Sequence, residues 1–345
     1  MEAQGLARRL AKRPTTKPGH YTRKPEVERM TEASCAIVLC GDSNPDIALG
    51  LAVTIYSALA NLSDDCRPDL YIIDCGITDE AKRRLARVAA NGRSDVEVHW
   101  VDFDLDVLDA IPNRSPFPPV IFARLFMAEL IPPSVRRVVY LDADLLVQRD
   151  LSSLLLLDLG GSPIAAVRDL GIGSVGAGDQ QRAYFNTGVL VVDTAAYRQA
   201  GIKELVLDYA ASGGRTRFPD QDSLNAVVDS WVELDYSWNL QIGGLAFGLG
   251  DAWLSRKQLA RLYSDLRRGA VVLHFTTGFK PWSRLRTRRG SLRWALWLAR
   301  SDWFSQRELA RWLSGWFVAS AVAHLRLRIG TKRLQLRNAL AQRST

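Results

Sequence analysis

The chain is poor in sulphur and imidazole, with 4 cysteines, 3 methionines and 4 histidines in 345 residues. Cys35, Cys40, Cys66 and Cys75 all fall in the first quarter without a Cys-x-x-Cys spacing, and Cys40 and Cys75 end apolar runs. That argues against a disulfide-framed module and predicts reduced, buried thiols in a cytoplasmic protein. No secretory signal is expected either, since the basic residues 1–24 are followed by no apolar core. Long hydrophobic runs are missing too. The most lipid-like stretch, Trp312–Ala323, lies between Arg311 and His324. It is shorter than the roughly 17–25 apolar residues that a spanning helix needs. The chain is therefore expected not to cross a bilayer, although such a segment suits the surface of one. There is no internal repeat and no low-complexity tract.

What is present is an uneven distribution of charge. The net charge of +8 divides into about +6 over residues 1–24, about +12 over residues 281–345, and about −10 for the body between them. An acidic body with two basic ends says more about partners than about fold. Hydrophobic residues make up 47% of the chain, enough for one large α/β domain with an appendage.

Residues 1–33 read as a flexible basic arm. From Cys35, short apolar runs rich in β-branched residues alternate with helical patterns. Strands are expected at 35–41, 69–76, 96–103, 137–148, 163–169, 185–194 and 271–277, and helices at 47–62, 79–91 and 120–130. Strands that are apolar on both faces and separated by helices predict a mostly parallel sheet covered on both sides. In such a sheet ligands gather at the carboxyl ends of the strands.

The fourth run, Tyr140-Leu141-Asp142-Ala143-Asp144-Leu145-Leu146-Val147, holds two aspartates in an apolar setting. In an extended strand, residues i and i+2 share a face, so both carboxylates are expected to converge on one point. Two close carboxylates repel unless a cation lies between them; as plain strand-end residues they would merely cap a turn. Far along the chain, Val271-Val272-Leu273-His274 leads through Thr-Thr-Gly278 to Lys280-Pro281-Trp282. A histidine as third ligand favours Mn2+ over Mg2+, with Mg2+ the alternative. Lys280 is placed to reach a diphosphate.

Together these segments resemble glycosyltransferase family 8, the bacterial lipooligosaccharide galactosyl- and glucosyltransferases, with glycogenin a more distant relative. Three further segments agree in order: Phe122-Ala123-Arg124-Leu125, Phe185-Asn186-Thr187-Gly188-Val189 and Pro219-Asp220-Gln221-Asp222-Ser223-Leu224-Asn225. The likeness covers roughly residues 35–285. It implies a Rossmann-like GT-A fold, with the transferase domain at 34–285 and a helical, basic, tryptophan-rich extension at 286–345. It implies a metal held by Asp142, Asp144 and His274, and a UDP-hexose donor carrying galactose or glucose. Arg124, Ala143, Asp169, Asn186, Gly278 and Lys280 would hold the donor, and either Asp42 or Asp46 the nucleoside. The turn after the first strand, Gly41-Asp42-Ser43-Asn44-Pro45-Asp46, lacks the aromatic residue usual in the family. Transfer with retention is implied, with Gln221 and Asp220 beneath the sugar and Lys280 on the leaving phosphates. A neutral amide is a poor nucleophile, so the Gln221 carbonyl is better cast as stabilising positive charge on the sugar.

Six tryptophans and 14 basic residues mark the stretch 281–345. Basic helices with tryptophan at the boundary lie in the headgroup plane of anionic membranes; the alternative is that they pack on the domain. The first reading fits a lipid-linked glycan acceptor, such as a lipopolysaccharide or exopolysaccharide, and a protein peripheral on the inner face of the cell membrane. No nucleic-acid-binding module accompanies the basic ends. Two other readings stand beside this one: a glycogenin-like self-glucosylating primer with Tyr21 or Tyr184 as acceptor, and a non-catalytic scaffold on the membrane.

Overall fold

The computed structural model describes residues 35–320 apart from 109–118, 176–180, 213–216, 247, 277, 279 and 284–287. The basic arm, Tyr21 and residues 321–345 lie outside the described residues.

Twelve strands occur among the described residues: β1 (Cys35–Asp42), β2 (Asp69–Cys75), β3 (Val98–Asp102), β4 (Arg137–Leu141), β5 (Leu145–Val147), β6 (Ile164–Arg168), β7 (Ser174–Val175), β8 (Arg182–Ala183), β9 (Phe185–Asp193), β10 (Val232–Leu234), β11 (Leu240–Gln241) and β12 (Val272–His274). Seven form the central sheet in the order β10-β6-β9-β4-β1-β2-β3. All its pairings are parallel except the two made by β9. Along β1, Cys35, Ile37 and Leu39 enter one core while Ala36 and Val38 enter the other. That alternation in an apolar run is what a sheet covered on both faces demands.

The reversed strand β9 makes the site. In the register Leu141↔Val189 and Val167↔Asn186, its first residues lie beside the carboxyl ends of β4 and β6. Phe185-Asn186-Thr187-Gly188 therefore reaches the sheet edge where β1, β4 and β6 end.

The run 137–148 is not one strand. β4 stops at Leu141, the chain turns through Asp142, Ala143 and Asp144, and β5 joins a second sheet of order β11-β12-β5. At this break lies Thr54, fully buried in the helix Pro45–Ala60. Its hydroxyl lies 3.1 Å from the carbonyls of Ala143 and Leu145 and accepts from the Leu145 N–H at 3.3 Å. Backbone groups that would pair in a continuous strand are met by this side chain instead. The carboxylates thus converge through a turn, not through the two-residue strand repeat.

The helix Pro45–Ala60 starts with Asn44 capping the Asp46 N–H and Pro45 in the first turn. Gly50 on this helix allows close approach to the turn, since a Cβ there would lie 2.6 Å from the Ala143 carbonyl. The segment 120–130 is mainly a 3-10 helix, Pro119–Phe126, followed by the short helix Met127–Leu130.

The tail forms the helix Arg288–Arg300 and a second helix over 306–320. Ser305 and Glu308 cap the second helix reciprocally. Trp282, Trp294, Trp303 and Trp316 are buried, and Trp297 and Trp312 pack partly buried against the same core. Tyr56 meets Trp297 edge-on, Asn91 donates to the Arg300 carbonyl at 2.8 Å, and Arg84 donates to Glu308 at 3.0 Å. The tryptophans thus face the domain, while Leu292, Leu296, Phe317 and Val318 are the large apolar residues exposed on the described part of the tail. Among the described residues no helix is long and apolar enough to cross a membrane.

Candidate active site and metal centre

Strand pairing brings the three expected metal ligands together. β12 runs antiparallel to β5 with His274 opposite Leu145, so the imidazole faces the turn that carries Asp142 and Asp144. One ligand atom from each of Asp142, Asp144 and His274 lies within 4.8 Å of the other two. His274 Nε2 is 3.3 Å from Asp144 Oδ1 and 3.9 Å from Asp142 Oδ2. Two carboxylates and an imidazole nitrogen are a donor set suited to a divalent transition ion.

The histidine is held from behind. Its Nδ1 lies 2.9 Å from the Asn239 Oδ1, and the Asn239 amide donates to Asn186 Oδ1 at 2.8 Å. Gly188 leaves room for the ring, since a Cβ at that position would sit 2.2 Å from His274 Cε1. Asn239 carries no signal in the sequence, whereas Gly188 stands in the Phe185–Val189 segment, which does not reveal that its missing Cβ makes room for the ring. Asn239 stands in an unmarked Trp-Asn-Leu run, and β11 places it beside His274 only in three dimensions.

On the other flank, Arg124 donates to Asp142 Oδ1 at 2.5 Å and lies 3.4 Å from Asp220 Oδ2, with its guanidinium over the Tyr140 ring. Tyr140 also donates to Asp142 Oδ1, at 2.9 Å. Burial opposes charge on Arg124, but Asp142, Tyr140 and Asp220 outweigh it and hold the guanidinium protonated. Burial pushes the Asp220 carboxyl up against the opposing pull of Arg124, and Asp142 adds to the rise. Lys280 Nζ donates to Asp144 Oδ2 at 2.5 Å and to the Phe275 carbonyl at 3.1 Å. Burial pushes Asp144 up, yet Lys280 and His274 more than reverse this and leave it well below the usual carboxylate range.

Gln221 sits at a hydrogen-bonded hub. Its Oε1 accepts from Asn186 Nδ2 and the Thr187 N–H, both at 3.1 Å, and its amide donates to Asp169 Oδ2 at 3.3 Å. Asp169 Oδ1 closes a turn by accepting from the N–H groups of Gly171 and Ile172. Asp222 is structural, accepting from the N–H groups of Arg217 and Phe218 and from the Tyr184 hydroxyl. Asn225 likewise pairs with the Phe185 backbone.

The remaining expected residues are more open. Asp42 ends β1 and accepts from the Asn44 N–H, Asp46 is exposed in the first helical turn, and Gly278 is exposed with open space about it. Thr276, not singled out in the sequence, has a hydroxyl without a partner between His274 and Lys280.

These features define a sugar-transferring enzyme of GT-A fold. The galactosyltransferase LgtC, solved with donor and acceptor sugar analogs, superposes with a TM-score of 0.64 over 76% of this chain and 95% of that one, at 23% identity. The chain belongs to glycosyltransferase family 8: the profile described as Glycosyl transferase family 8 matches residues 36–286. General stress protein A of Bacillus subtilis is 31% identical over 257 residues, covering 72% of this chain and 87% of that protein. Lipopolysaccharide 1,2-glucosyltransferase of Escherichia coli is 25% identical over 243 residues, covering 68% and 69%.

Proposed function

We propose that the protein is a metal-dependent, retaining hexosyltransferase that moves galactose or glucose from a UDP-sugar to a lipid-linked glycan. The observation that carries this reading is the convergence of Asp142, Asp144 and His274, with Lys280 on Asp144, at the carboxyl edge of the sheet. Mn2+ suits the mixed oxygen and nitrogen donors, with Mg2+ the alternative. Such an ion supplies Lewis-acid stabilisation of the departing diphosphate. Lys280 adds a fixed positive charge where negative charge grows on the leaving group. Arg124 holds Asp142 and Asp220 in place, and Asp220 takes the sugar hydroxyls. Asp169 and Asn186 set the orientation of Gln221, and Asp42 or Asp46 meets the nucleoside. Ala143 and Gly278 present backbone to the donor.

Same-face attack is favoured over a covalent intermediate on Gln221. Its amide oxygen already accepts two hydrogen bonds, so a weak nucleophile is made weaker. The glycogenin-like alternative loses Tyr184 as acceptor, because that hydroxyl is buried against Asp222 and burial together with Asp222 pushes its pKa up.

The acceptor is read as lipid-linked from two sources. The Escherichia coli relative is a lipopolysaccharide glucosyltransferase. The tail of this chain carries a net charge of about +12 and shows Leu292, Leu296, Phe317 and Val318 to solvent. That charge supports attachment to an anionic membrane surface, read here as the inner face of the cell membrane.

The test is release of UDP from UDP-galactose and UDP-glucose with Mn2+, with and without a lipid-linked glycan. Slow hydrolysis that accelerates with acceptor and stops in chelator is expected. Undiminished turnover in chelator would sink the metal assignment, and a sugar-sized mass increase on the protein would favour the self-glucosylating reading.

A further inference from the structure

The turn that carries Lys280 is held by a helix distant in sequence. The Trp316 indole Nε1 donates to the Pro281 carbonyl at 2.8 Å, and Trp316 is 3% exposed. Trp316 stacks on Trp312 with centroids 5.7 Å apart, Trp312 lies 6.0 Å from Trp294, and Trp294 lies 5.8 Å from Trp282. Contacts therefore leave the turn at Trp282 and return to it at Pro281, closing a ring of four indoles. On its other side Trp282 covers Gly50, where a Cβ would sit 2.8 Å from the ring. The turn is thus wedged between the helix Pro45–Ala60 and the helix over 306–320.

Among the described residues just upstream of Lys280, Gly278 is exposed with nothing packed against it and offers no comparable anchor. Downstream, the Lys280 carbonyl accepts from the Ser283 N–H and hydroxyl at 3.2 and 2.9 Å, which tightens the turn but ties it to nothing else. Pro281 has no N–H and a fixed φ, so its carbonyl is the group through which the backbone here can be gripped from outside. A buried carbonyl needs its donor, and the indole N–H supplies it.

We infer that Trp316 is a positioning residue for Lys280: through the Pro281 carbonyl its indole N–H sets where the ammonium stands relative to Asp144 and the donor diphosphate. The inference rests on the reading above in which Lys280 meets that diphosphate. It makes the helix over 306–320 part of the donor site as well as part of the tail surface.

The experiment measures UDP binding with Mn2+, Mn2+ binding alone and the melting temperature for the wild type, Trp316→Phe, Lys280→Ala and the double variant. Trp316→Phe keeps an aromatic ring and loses the N–H. Its UDP affinity is expected to fall about fivefold, in line with one lost hydrogen bond, with Mn2+ affinity unchanged. In the Lys280→Ala background the same substitution is expected to have no further effect on UDP binding. Trp316→His, which keeps a ring N–H, is expected to recover part of the affinity. Equal weakening with and without Lys280, or full UDP affinity in Trp316→Phe, overturns the inference while leaving the role of Lys280 standing. Full UDP affinity in Lys280→Ala removes that role, and the inference with it.

Discussion

Asn239 Oδ1 faces His274 Nδ1 at 2.9 Å, and the orientation of that amide follows from its neighbours. The Gly188 N–H donates to Asn186 Oδ1, so the amide nitrogen of Asn186 turns toward Gln221 and Asp169. Asn239 must then donate to Asn186 with its nitrogen, leaving its oxygen to accept from Nδ1–H of His274. Nε2 is then the ring nitrogen that faces Asp142 and Asp144 and would take the ion. Removing such a support typically lowers metal affinity about 10- to 100-fold. Asn239→Leu is expected to weaken Mn2+ binding by that factor in calorimetric titration; unchanged affinity would contradict the assignment.

Asp144 is the carboxylate on which Lys280 and His274 both converge. Asp144→Asn keeps the shape and removes the charge. Manganese-dependent release of UDP is expected to fall by at least about 100-fold, while the far-ultraviolet circular dichroism stays that of the wild type. A variant as active as the wild type, and equally active in chelator, would remove the metal from the reaction.

Gly188→Ala tests the space around the histidine. The added methyl would meet His274 Cε1 at 2.2 Å and Nδ1 at 2.7 Å, so the ring or β9 must move. Overpacking of this kind costs roughly 1–3 kcal/mol, to be read in urea unfolding, and it should carry a loss of Mn2+ affinity. Stability falling without any change in Mn2+ binding would show that the ring keeps its place.

Glu308 gives the tail helix a response to acid. Its ordinary value of 4.5 is lowered to about 2, first by the Ser305 side chain, then by the Ser305 backbone N–H and by Arg84. A depressed carboxylate contributes stability that is full above the unfolded value and is lost as pH falls through the folded one. Docking of the helix over 306–320 should therefore weaken between about pH 4.5 and about pH 2. Tryptophan emission should record this in the wild type, and the Glu308→Gln variant should lack that component. Identical acid profiles for the two would remove Glu308 from the docking.

Much of the site was legible because its chemistry needs particular side chains. The acidic pair in an apolar run and the histidine ending another marked Asp142, Asp144 and His274 as candidates, and the resemblance to the family joined them into one set and added Arg124 and Gln221. Their geometry was harder to read. A run such as 137–148 looks continuous because it is apolar on both sides of its aspartates, while the turn within it is met by the buried hydroxyl of Thr54, some 90 positions away. Asn239 was invisible, and the part played by Gly188 hidden within its segment, for a related reason: each acts through contact with a ring brought in by β12. The tail was misleading in another way. Its helical spacing was clear, but the face that carries the tryptophans turns toward the helix Pro45–Ala60, and spacing alone does not say what an apolar face meets.

The break between β4 and β5 has a mechanical meaning. Asp142 leaves the seven-stranded sheet, while His274 ends a strand of the three-stranded one. A cation gripped by both would rivet one sheet to the other across the seam, so occupancy should raise the melting temperature in proportion to the logarithm of free Mn2+ once the site saturates. The ion would then serve as a fastener for the scaffold even in a protein whose donor is absent.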